Sequence, residues 1–98
     1  MASYIAEIRL LNAGSDAFMQ CIPRQRMMVN DMMAEGLITS YAVSADRKKM
    51  WCVVEADSVD EATRIIDQFP LSPFMEAEVK ELLFHHMHGS LMGTISLN

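Results

Sequence analysis

Ninety-eight residues with 51% hydrophobic and 21% charged side chains make one compact domain, whose pocket must be small or shared with a second copy. Thirteen acidic against eight basic side chains give a net charge of −5, which argues against a nucleic-acid partner, and the one basic run is Arg47-Lys48-Lys49. No stretch reaches the roughly 18 apolar residues of a membrane span, and the start Met1-Ala2-Ser3-Tyr4 has neither a basic leader nor an apolar signal core, so a cytoplasmic chain without a membrane partner is expected.

The high apolar share predicts that self-association, at least as a homodimer, covers part of the surface. Cys21 and Cys52 are isolated and read as small buried apolar residues rather than as a disulfide or metal ligands.

In chain order, Tyr4 to Leu11 alternates with period two and predicts a first strand, with Tyr4, Ala6, Ile8 and Leu10 on one face. Asn12 to Ser15 breaks it, and Ser15 or Asp16 can cap a helix that ends before Gly36. Pro23 predicts an interruption: a short turn over 16–21, then the main helix from Pro23 to Glu35. Leu37 to Ala45 and Met50 to Ala56 read as strands joined by a hairpin at Asp46 to Lys49. Ser58-Val59-Asp60-Glu61 has capping-box spacing, and Ala62, Ile65, Ile66 and Phe69 form an inward stripe until Pro70 and Pro73. A last strand is predicted from Glu76 to Phe84.

The order β-α-β-β-α-β predicts an α+β, ferredoxin-like protomer with an antiparallel sheet and two helices on one face. The other face, showing Ile5, Glu7, Arg9, Leu11, Trp51, Val53, Glu55, Glu78, Lys80 and Leu82, suits packing against a second copy. Residues 1–88 are read as the domain and 89–98 as a tail in which Ile95 and Leu97 alternate with polar residues.

Ala56 to Ala62, followed by Phe69-Pro70-Leu71-Ser72-Pro73-Phe74-Met75 and then Glu78-Val79, resembles the muconolactone isomerase-like group of dimeric α+β barrel proteins, to which the YciI-like proteins are also similar. The resemblance implies a protomer whose sheet pairs with another into a barrel, often within a ring of dimers. For the isomerases it further implies proton movement in an unsaturated lactone from aromatic-ring breakdown, with no metal or cofactor.

Candidate site residues follow from position and chemistry. On the helical wheel from Pro23, Val29, Met32 and Met33 face inward, Gln25 shares that side and Arg26 sits at its edge, a pair of donors suited to a carboxylate-bearing ligand or to nearby backbone. Tyr41, Asp46, Arg47 and Trp51 surround the hairpin. Asp46 and Arg47 serve the turn, or else pair with a histidine and bind an anionic substrate, and Trp51 packs or stacks on a ring. His85, His86 and His88 lack a recognised third-ligand spacing, so no metal site is expected. His85 shares strand parity with Val79 and Leu83 and is expected on the helix side, as a proton carrier or a structural histidine. The expected ligand is a small, partly apolar organic acid or lactone, handled by a cofactor-independent isomerase or by a non-catalytic binding module of the same fold.

Overall fold

A computed structural model describes residues 1–86. His88 and the 89–98 tail lie outside the described residues. The elements run β1 (Ala2–Leu10), α1 (Asp16–Ala34), β2 (Ile38–Val43), β3 (Lys49–Ala56), α2 (Val59–Asp67), a short 3₁₀ turn (Ser72–Phe74) and β4 (Met75–Glu81). The sheet order is β2-β3-β1-β4, every pairing antiparallel, which is the ferredoxin-like arrangement predicted from the sequence.

Alternation in β1 sends Tyr4, Ala6, Ile8 and Leu10 to the buried side, where they meet Met50, Cys52 and Val54 of β3. The opposite face carries Ser3, Ile5, Glu7 and Arg9 of β1 beside Lys49, Trp51, Val53 and Glu55 of β3. Its charges are paired within the sheet: Arg9 with Glu76, Lys49 with Glu7 at 3.0 Å, and Glu55 accepting from the Ser3 hydroxyl at 2.8 Å.

α1 is one continuous helix, which corrects the expected interruption at Pro23. Pro23 is solvent-exposed and removes only the donor that would have met the Met19 carbonyl; Met19 is exposed too, so water can satisfy that oxygen. Ser15 caps the helix start by accepting from Phe18 N–H. At the other end Gly36 takes φ +79°, and its N–H and that of Leu37 donate back to the carbonyls of Met33 and Met32, the Schellman arrangement. Phe18, Gln25, Val29 and Met32 form the buried stripe, whereas Met33, expected inward, is exposed.

α2 starts as its spacing predicts, with Ser58 Oγ accepting from Glu61 N–H at 3.1 Å. The Glu61 carboxylate, however, accepts from Asp57 N–H rather than from Ser58 N–H. Ala62, Ile65, Ile66 and Phe69 are buried beneath it.

β4 stops at Glu81, three residues before the expected Phe84. Glu81 pairs with Tyr4 and Leu82 N–H donates to Ser3 O, and this is the last bond of the ladder among the described residues.

Candidate functional site

The cleft lies between the first half of α1 and the end of the sheet formed by Leu10, Val43 and Met50. It has a volume of about 380 Å³ and is walled by Phe18, Met19, Ile22 and Leu71 besides those three residues. Its polar side chains are Gln25 and Arg26 from α1, Tyr41 from β2 and Arg47 from the hairpin.

Each is placed by local structure. Gln25 falls four residues before Val29 on the buried stripe and is 2% exposed. Its Oε1 accepts from Leu71 N–H at 3.2 Å, and its Nε2 donates to Tyr41 Oη at 3.5 Å. Tyr41 reaches the helix side because it pairs with the inward Cys52, one residue beyond a register shift between Ile38 and Ser40. Arg47 follows a turn closed by its own N–H donating to Ser44 O, and takes φ +63°. This left-handed conformation is uncommon for a side chain with a Cβ.

Burial raises the Tyr41 pKa, opposed in part by the Gln25 amide donating to its oxygen and by the nearby Arg26 charge. The phenol therefore keeps its proton at neutral pH. Beneath it, burial pushes the Cys52 thiol from the usual 9.0 to about 12. The unfolded thiol ionises near its usual value while the folded one stays neutral, so this contribution to stability is complete below about pH 9 and is lost as pH rises toward 12. Cys52 is accordingly expected to resist a thiol reagent at pH 8 in the native protein and to react once urea unfolds it, as followed by mass spectrometry.

The remaining sequence candidates lie elsewhere. Asp46 is exposed and serves the turn: it accepts from the Ser44 hydroxyl at 2.7 Å and from Lys48 N–H at 2.9 Å, and these bonds hold its carboxyl below the usual carboxylate range. Trp51 is half-buried on the open sheet face, because Met50 and Cys52 on either side point inward; it does not line the cleft.

His85 is exposed and lies beyond β4 rather than on its helix side. The strand end beside Ser3 is seven residues along β1 from Leu10, roughly 23 Å at about 3.3 Å per residue. The three residues from Leu82 to His85 span at most about 11 Å, so His85 reaches neither the cleft nor Asp46 of the same chain. Among the described residues, no group of three His, Cys, Asp or Glu side chains is placed to hold a metal ion, and no helix is long and apolar enough to cross a membrane.

Sequence reasoning missed Leu71 as a site residue. The run Pro70-Leu71-Ser72-Pro73 signalled a turn, and the turn's backbone is what orients Gln25. The apolar lining from Phe18, Met19 and Ile22 followed from helical spacing only once the helix was known to run unbroken through Pro23.

No curated protein sequence matches this chain. The family model for muconolactone delta-isomerase matches residues 11–88, from the end of β1 past the end of β4, and the chain belongs to that family.

Proposed function

We propose that the cleft beneath α1 binds a small, partly apolar organic acid or lactone, and that the protein is a cofactor-independent isomerase that moves a proton within such a ligand. The observation that carries this reading is an open cleft with apolar walls and, at its base, a buried glutamine bonded at both ends of its amide. Arg26 and Arg47 meet the carboxylate, and Tyr41, held from behind by Gln25, meets the carbonyl. The proton carrier is His85 of a second copy of the chain, since none of the side chains lining the cleft is a carboxylate or an imidazole.

The second copy packs on the open sheet face, where Ile5, Trp51 and Val53 lie among charges already paired within the sheet, so few unpaired charges are desolvated. Asp46 remains with its turn in this arrangement, and Trp51 belongs to the contact between copies.

The test is deuterium incorporation from heavy water into an unsaturated lactone acid, read by mass spectrometry. Exchange by the native protein that disappears in His85→Ala, with binding and thermal stability retained, is the expected result. The lack of a base among the lining side chains also favours a second reading, a non-catalytic ligand-binding module. Saturable binding without any exchange would select that module over the isomerase.

A further inference from the structure

Gln25 sets the direction of the hydrogen bonds around it. Leu71 N–H, a donor only, needs the oxygen end of the Gln25 amide, so the NH₂ end must face β2. Nε2–H then donates to Tyr41 Oη, occupying a lone pair of the phenol and leaving the phenol's hydrogen without an acceptor among the described side chains. Arg26 and Arg47 add guanidinium donors, which have no acceptor capacity. Every other side chain on the wall is apolar, so a ligand's own N–H or O–H finds no carboxylate, imidazole or free amide oxygen there.

We infer that Gln25 is a positioning residue that turns the Tyr41 hydroxyl into the cleft, making a donor-rich site that selects oxyanions on a flat apolar body (an enolate, phenolate or carboxylate) over their neutral parents. The inference rests on the cleft binding proposed above and specifies the charge state of what is bound. Burial keeps Tyr41 protonated and able to donate; Cys52 on β3 and Arg26 on α1 are the other titratable groups acting on it. In proton transfer beside a carbonyl, the base takes the proton, the C–H electron pair becomes a C=C bond and the C=O π pair moves onto oxygen as an enolate; the proton then returns to another carbon of the conjugated system as the C=O bond re-forms. Preorganised donors at that oxygen favour the enolate more than the neutral carbonyl.

A phenol that titrates near neutrality reports this directly. 4-Nitrophenol is titrated free and with the full-length protein in excess, following the coloured phenolate band, with a thermal melt run on each variant. The bound probe is expected to lose its proton about one pH unit lower than the free probe, an about tenfold preference for the anion. Tyr41→Phe removes the donor. Gln25→Glu keeps an acceptor for Leu71 N–H but offers a second one to Tyr41, turning its hydroxyl away from the cleft. Both variants are expected to lose about half of the shift or more, and the two arginines retain the remainder. A bound probe that titrates at or above its free value, or a shift unchanged in both folded variants, overturns the inference and leaves cleft binding intact. Failure of the native protein to bind the probe, together with unsaturated lactone acids, overturns the cleft reading itself.

Discussion

Phe69→Ala is expected to lower the unfolding free energy by about 3–5 kcal/mol, seen as a reduced urea midpoint with little change in slope. Phe69 is 1% exposed and among the largest fully buried side chains. It closes the inward stripe of α2, its N–H donates to Ile66 O, and its carbonyl accepts from Ser72 N–H at the start of the proline turn. Truncation leaves a cavity where helix, turn and sheet meet, and the bonds on either side limit how far the chain can relax into it. Domains of this size have about 5–15 kcal/mol of stability, so the loss is a large share of the total. A change below about 1 kcal/mol would mean that the turn closes over the gap.

Arg47→Gly is expected to separate stability from binding. At φ +63° a non-glycine residue carries strain that glycine does not, so the variant should be as stable as the native protein or more so. The same change removes a guanidinium from the cleft mouth. Hydrogen bonds to charged groups contribute about 1.5–3 kcal/mol, so binding of a carboxylate ligand should weaken by roughly ten- to a hundredfold, as measured by calorimetry. Equal affinity in a stable variant would assign Arg47 to the turn alone. A lowered melting temperature would show that its stem packs on Val43 or Met50 strongly enough to outweigh the strain.

Much of the fold was legible because local rules decide it. Ser58 three residues before Glu61, Gly36 after the helix, and the alternation of Tyr4 to Leu10 each encode a cap or a face through a bond or a period a few residues long. Gln25 was legible as a candidate for a related reason, since an amide on a buried helical stripe must find partners. Pro23 misled because a single lost donor is cheap where the freed carbonyl faces water, and exposure is not a local property of the sequence.

The site depended on distance across the fold. Leu71 and Gln25 are 46 residues apart in the chain, and only the packing of the proline turn under α1 makes one the partner of the other. His85 reads as a continuation of β4, yet β4 ends at Glu81 opposite Tyr4, which leaves His85 beyond the strand, at the far end of the sheet from the cleft.

By itself, then, the sequence determined the element order, the inward faces and the polar residue that needed partners, because periods of two and 3.6 residues and short caps act within a few residues. The tertiary structure alone decided which end of the sheet holds the cleft, that Trp51 and His85 lie outside it, and that Gln25 bridges Leu71 and Tyr41. Strand register, helix crossing and the meeting of distant backbone are set by contacts between segments that no local pattern encodes.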